Sequence, residues 1–452
     1  MFNHLLAHIR KLLERMSMCL ADPRPRGRMI EVGLGLLCGD VPKTITSAIE
    51  WNGAQGDWSA DYRLFSKTSW ELDDLFKPIL GDAVVKNLDG PIYAAMDDTL
   101  VRKTGRKIPG TAYARDTLSP AFHINLVLGQ RFLQTTVMAR ASDDRPWRSI
   151  PVAFRHVPPL KAPARATEEQ KRAVKEARKI YNMSTVGRDE LAKLRANIDS
   201  LPNNRTRHLI MTVDGSFANR SFLTEIPQHT TAVARIRKNA RLRAAMPQEK
   251  RTGNRKYGEL LPTPEQMLKD PAIPTQTAIV SVSGRRHVIR YKVIENVCWP
   301  RTTRDKPATL VLLKPLGYRL RKGSKLLYKQ PGYLFVTGAP ADIVHIIQAY
   351  LLRWEIEVNF RDEKTILGAG KAQVWNPRSV ARAPAFLVAC YAAMLLSSMT
   401  ALNDRRNEQF DPLSPWRLDN VSRPSTRDLV RLLRKQITQG RKHPETEIRS
   451  VA

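Results

Sequence analysis

Tyr350, Arg353, Glu357 and Lys364 stand at offsets that an α-helix, turning about 100° per residue, gathers into roughly a 60° arc. One acid, two cations and a phenol therefore share a stripe. Apolar Ile347, Leu351, Trp354 and Val358 flank it on one side and Ile356 and Phe360 on the other, while Glu355, Asn359 and Asp362 point to a separate polar back. The pattern predicts one continuous helix over 349–364 with its stripe half-buried. A carboxylate held beside Arg and Lys stays ionised, which suits a ligand for a hard divalent cation, and the adjacent cations can hold phosphate oxygens. Cutting or joining a nucleic-acid backbone uses that combination. The plainer alternative is a surface helix with routine i,i+4 ion pairs.

The order and spacing of these four residues resemble the Tyr-Arg-Glu-Lys signature of bacterial insertion-sequence transposases, the DDE group that moves DNA by cutting and pasting. The string Arg353-Trp354-Glu355-Ile356-Glu357-Val358-Asn359-Phe360-Arg361-Asp362-Glu363-Lys364 extends the likeness. The resemblance implies an α/β protein, with a ribonuclease-H-like mixed-sheet catalytic core, a β-rich insertion and flanking helical regions. It implies metal-dependent cleavage of double-stranded DNA at transposon-end inverted repeats, then strand transfer of the freed 3′ ends into target DNA. Two Mg²⁺ ions per site, or Mn²⁺ in their place, a homodimer on synapsis and a DNA hairpin intermediate follow from the same likeness. Two rival readings are a nuclease of the same fold without strand transfer and a non-catalytic DNA-binding descendant.

Other elements must bring carboxylates to such a helix. The apolar run 91–96 predicts a strand ending at Asp97-Asp98-Thr99, and 208–213 predicts another ending at Asp214-Gly215-Ser216. Asp98, Asp214 and Glu357 then supply hard oxygen ligands for a pair of divalent cations. Asp97 competes with Asp98, and each alone is an ordinary turn or cap residue. In the resembling enzymes the Asp directly before Thr is the ligand, which selects Asp98. Tyr350, Arg353 and Lys364 become candidates to hold DNA phosphates, joined by Arg361 near their arc and by Arg102, Lys103, Arg106 and Lys107 just past Asp98. Trp299 is a candidate to stack on a flipped base, as a tryptophan does in some relatives, with a packed aromatic as the alternative. His123 reads as a strand residue.

Residues 1–85 are expected to form a helical DNA-binding region. Leu5, Ile9, Leu12 and Leu13 have helical spacing, the apolar stretch 29–37 halts at Gly39-Asp40, and a third helix lies near 70–80. The first part of the core spans 86–229, with a hairpin of 122–128 and 132–138 across Gly129-Gln130 and charged helices over 164–200 broken at 183–187. Alternating runs at 278–282, 288–293, 309–313 and 332–337 mark 230–340 as a β-rich insertion. The second part of the core spans 341–402, and 403–452 reads as a basic C-terminal tail with a helix at 427–435.

The 74 Lys+Arg against 43 Asp+Glu give a formal net charge of +31 spread along 452 residues, which favours a polyanionic partner touched by many surfaces. Cys19, Cys38, Cys298 and Cys390 are too scattered for a zinc site or a disulfide framework and read as reduced. Basic residues interrupt the first apolar stretch, so no secretion signal is read and the cytoplasm, on the nucleoid, is the expected compartment. The uncharged segment 383–402 is as long as a membrane span, but its Pro, Ser, Thr and Ala content favours a buried core helix, and no membrane partner is expected. The chain has no phosphate-cradling Gly-rich loop ending in Lys-Ser/Thr, so the sequence gives no indication of ATP use. A tyrosine recombinase needs a nucleophilic Tyr with an Arg-His-Arg set, and the carboxylate arrangement argues against that reading.

Overall fold

The computed structural model describes residues 4–40, 43–53, 56–87, 90–116, 119–120, 122–253, 256–319, 323–413 and 423–442. Helices α1 (Leu5–Ser17), α2 (Arg26–Cys38), α3 (Ile45–Trp51), α4 (Ser59–Ser66) and α5 (Leu72–Val85) come first. Strands β1 (Ile92–Arg102), β2 (Ala112–Arg115), β3 (Leu126–Ala139) and β4 (Arg148–His156) follow, then α6 (Glu168–Ile180) and α7 (Met183–Asp199). Next are β5 (Leu209–Val213), α8 (Arg220–Leu223), β6 (Thr230–Arg235), β7 (Arg243–Ala245), β8 (Tyr257–Leu260) and α9 (Pro264–Lys269). The chain continues through β9 (Gln276–Val282), β10 (Arg285–Cys298), β11 (Ala308–Leu313), β12 (Gly317–Tyr318), β13 (Leu327–Tyr328) and β14 (Gly332–Gly338). It closes with α10 (Ile343–Leu352), α11 (Glu355–Thr365), α12 (Pro377–Leu402) and α13 (Thr426–Lys442). Helices and a mixed sheet give the α/β class expected from the sequence. Two compact units divide the chain, one of residues 1–88, 98–161 and 355–452, the other of 89–97 and 162–354.

The first unit is built on α12, which packs against α1, α2, α4, α5 and β4. Its uncharged stretch is a core element: Phe386, Val388, Cys390, Tyr391, Ala392 and Met394 are buried. The helix is long and apolar enough to cross a membrane, yet 94% of its most apolar window is covered by the protein. Truncating a large side chain such as Phe386 to Ala in this layer costs about 3–5 kcal/mol, the loss of transfer energy plus a cavity. Leu5, Ile9, Leu12 and Leu13 of α1 all turn inward, as their spacing predicts. Helix α13 belongs to the same layer, since Gln436 Oε1 accepts from Leu6 N at 2.9 Å and Arg434 Nε donates to Cys38 O at 2.6 Å.

The strands of this unit run β2-β3-β1, with β4 paired to the later part of β3. The hairpin expected across Gly129-Gln130 is corrected: β3 passes straight through both residues and pairs with β2 and β4. Gly129 permits close approach here instead of a turn, because a Cβ on it would lie 2.6 Å from Val101 O. Gln130 donates to Pro109 O at 2.7 Å. His123 lies in the exposed stretch before β3 and not in a strand.

In the second unit the strand order is β1-β5-β6-β14-β11-β10-β7-β8, with β9 on β10. Ladders β1–β5 and β5–β6 are parallel, and the ladders from β6 outward are antiparallel. The alternating runs of 278–337 therefore extend the sheet that carries Asp214. The break in 164–200 falls at Tyr181-Asn182, earlier than expected, because the Asn182 side chain caps α7 by accepting from Ser184 N and Thr185 N. Strand β1 does not stop at the aspartates either. It continues through Asp97 and Asp98 to Arg102.

Candidate functional site

The signature segment is two helices, which corrects the expectation of one continuous helix. Helix α10 makes its last bond from Arg353 N to Ala349 O at 3.1 Å, Trp354 is 61% exposed, and α11 starts at Glu355. Tyr350 and Arg353 belong to the second unit, while Glu357, Arg361 and Lys364 belong to the first.

Helix α11 also inverts the predicted faces. Glu355, Asn359, Asp362 and Glu363 are buried at helical spacing, and Trp354 is not. Each buried polar group needs a partner, since an unpaired one costs more than a hydrogen bond gains. Arg423 Nη2 donates to Glu355 at 2.7 Å, Asn359 Nδ2 donates to Ser149 O at 2.9 Å, and Thr426 Oγ1 donates to Asp362 at 2.6 Å. Glu363 Oε1 has no hydrogen-bond partner, and burial pushes this carboxyl up to about 8 against the opposing pull of Gln134 and Lys364. With that face anchored, Glu357 is half-buried and Arg361 and Lys364 are exposed at i, i+4 and i+7, so one acid and two cations still share a stripe. Partial desolvation holds the Lys364 ammonium below the usual lysine range, and the charges of Asp98 and Asp116 are among those opposing it.

The neighbouring aspartates of β1 have different partners. Arg131 on β3 reaches Asp98 with Nε at 3.1 Å and Nη2 at 2.5 Å, and the two side chains are 45% and 17% exposed. Asp97 meets Arg353 Nη1 at 3.2 Å, with side-chain exposures of 17% and 11%. Arg353 is thus a buried ion-pair partner and the cap residue of α10, while Tyr350 is half-buried on that helix. The parallel register pairs Met96 with Val213, and one more step places Asp97 level with Asp214.

Asp214 follows β5 and lines a cleft of about 1570 Å³ within the second unit. Arg235, Arg237, Lys238, Arg241, Arg243 and Arg301 line it too, with Trp299, Tyr333 and Glu265. Trp299 is half-buried and meets Phe335 edge-on at 5.4 Å, so packing and a cleft wall are both its roles. The basic character of 230–340 is evident in the sequence, but no site role was expected of the cationic run 235–243. Its signal was five basic residues in nine positions, directly after a buried strand. Of the candidates past Asp98, Arg102, Arg106 and Lys107 are exposed, but Lys103 is not available to phosphate. Its ammonium donates to Gly370 O at 2.9 Å and Ala372 O at 3.3 Å, and burial, with Lys371 nearby, lowers it to about 8.

The carboxylates suit a hard divalent cation in kind. Among the described residues no three His, Cys, Asp or Glu side chains form a metal-holding group. Asp98 and Asp97 each face an arginine instead.

A family profile described as DDE superfamily endonuclease matches residues 19–305, well over half of the chain. Endonucleases of that superfamily act on DNA and generally depend on divalent metal ions. No curated protein matches the chain.

Proposed function

Because this chain belongs to the DDE superfamily endonuclease family, we propose that it is a transposase, which cleaves duplex DNA at the inverted repeats ending its element and joins the ends to target DNA. The observation that carries this reading is the second unit's cleft, where six cationic side chains converge beside Asp214. A polyanionic strand fits there, and the +31 net charge supports contact beyond it.

In this reading Asp98, Asp214 and Glu357 are the catalytic carboxylates and would hold two Mg²⁺ or Mn²⁺ ions. Such ions, when bound, supply charge neutralisation and an activated oxygen nucleophile. The protein's own part is positioning. The polar anchors of α11 fix the backbone that presents Glu357, and Arg361 and Lys364 on the same stripe hold phosphate oxygens. Tyr350 and the cleft arginines orient the strand, while Arg353 acts by holding its neighbour Asp97. A homodimer synapses two ends, and the reaction takes place on the nucleoid. A second reading gives Asp97 the place of Asp98. The register that sets Asp97 level with Asp214 favours it.

The test is cleavage of DNA carrying the element's own ends, with and without chelator. Mg²⁺-dependent cutting that Glu357→Gln reduces more than about 10³-fold, with end binding retained, is the expected result. Equal end binding with no cutting under any divalent metal would leave a DNA-binding protein only.

A further inference from the structure

We propose that Arg131 is a partner-exchanging residue, which neutralises Asp98 in the free protein and moves to a DNA phosphate when substrate binds. The inference rests on the functional reading above and adds a residue to it. Strand β3 fixes the base of Arg131, whose carbonyl accepts from Val157 N at 2.9 Å, so only the side chain is left to move. The guanidinium reaches Asp98 with two nitrogens, yet it is the exposed half of the pair, at 45% against 17% for the carboxylate.

Arg102–Asp116 shares that asymmetry, at 66% and 16%, but its carboxylate is not a candidate ligand; fully buried pairs lack it. Arg148 and Asp404 are both buried, at 7% and 0%, and Arg148 has a further acceptor in Pro424 O. A pair locked in this way keeps its partner. An exposed pair is held weakly, and a guanidinium binds phosphate at least as well as carboxylate, so a DNA backbone can draw Arg131 off at little cost. The release exposes the charge of Asp98 to a divalent cation, and capture of metal then depends on DNA. Until that exchange the arginine occupies Oδ2 of Asp98.

Mn²⁺ binding to the full chain, read from the free-ion electron paramagnetic resonance signal with and without end DNA, tests this in wild type, Arg131→Gln and Asp98→Ala. Arg131→Gln is expected to bind Mn²⁺ about 3- to 10-fold tighter than wild type without DNA, and to lose most of wild type's gain on adding DNA. Its salt dependence of DNA binding should be shallower by about one phosphate contact. If Arg131→Gln fails to fold, Arg131→Lys, which keeps the charge but loses the two-nitrogen grip, is expected to give a smaller tightening. Unchanged or weaker Mn²⁺ binding in the folded variant overturns the proposal, as does an unchanged salt slope. If wild type with DNA has no Mn²⁺ site that Asp98→Ala removes, the functional reading fails, and this one with it.

Discussion

Asp97 and Asp98 are adjacent in one strand and both face arginine, but the two pairs are built differently. The pleat sends successive side chains to opposite faces, so the two carboxylates cannot serve one site together. Arg353 sits almost sealed against Asp97, whereas Arg131 stands nearly half in water beside Asp98. The comparison separates an ion pair that holds structure from one that can be given up. Identical residue types at neighbouring positions take different roles because their partners differ in burial.

Removing one arginine at a time sharpens that contrast most. Arg353→Ala takes the guanidinium from beside a largely buried carboxylate and is expected to cost about 3–5 kcal/mol, while Arg131→Ala is expected to cost no more than about 1 kcal/mol. Urea unfolding of both variants measures the difference, and equal losses would erase the distinction. Glu363 tests whether a buried acid lacking a strong partner behaves unlike either pair. Its carboxyl titrates at 4.5 ordinarily and at about 8 in the fold. The stability it contributes is therefore present below pH 4.5 and is lost as pH rises through 8. Glu363→Gln should raise the Tm by several degrees at pH 8 and leave it unchanged at pH 4.

Lys103 extends the comparison to a cation that meets only carbonyls. Lys103→Met should cost about 1–3 kcal/mol, the loss of two part-buried hydrogen bonds, and leave the salt dependence of DNA binding unchanged. The smallest effect is expected in the cleft. Arg237→Ala or Arg241→Ala should weaken DNA several-fold and reduce the salt slope by about one each, with no change in Tm. A change in Tm without a change in slope would make these arginines structural.

Much of this was legible in the residues, because apolar spacing reports burial directly. Leu5, Ile9, Leu12 and Leu13 declared α1, and the run 208–213 declared the strand before Asp214. The face of α11 was not legible because its buried positions are polar. In α11 the buried stripe is Glu355, Asn359, Asp362 and Glu363, the first three satisfied by Arg423, Ser149 and Thr426 from distant parts of the chain. No local pattern announces such partners. Gly129 failed for a separate reason, since a glycine that admits a neighbouring carbonyl looks in sequence like one that makes a turn. Lys103 and Arg353 were legible as cations, but the carbonyls and carboxylate that occupy them were not.

The most direct measurement sets Asp98→Asn beside Asp97→Asn, following Mg²⁺-dependent cleavage of end DNA together with end affinity and Tm. The account predicts that Asp98→Asn loses cutting at unchanged affinity and Tm, and that Asp97→Asn lowers the Tm while cutting survives within a few-fold. Cutting lost only in Asp97→Asn would contradict it and move the site to the carboxylate level with Asp214.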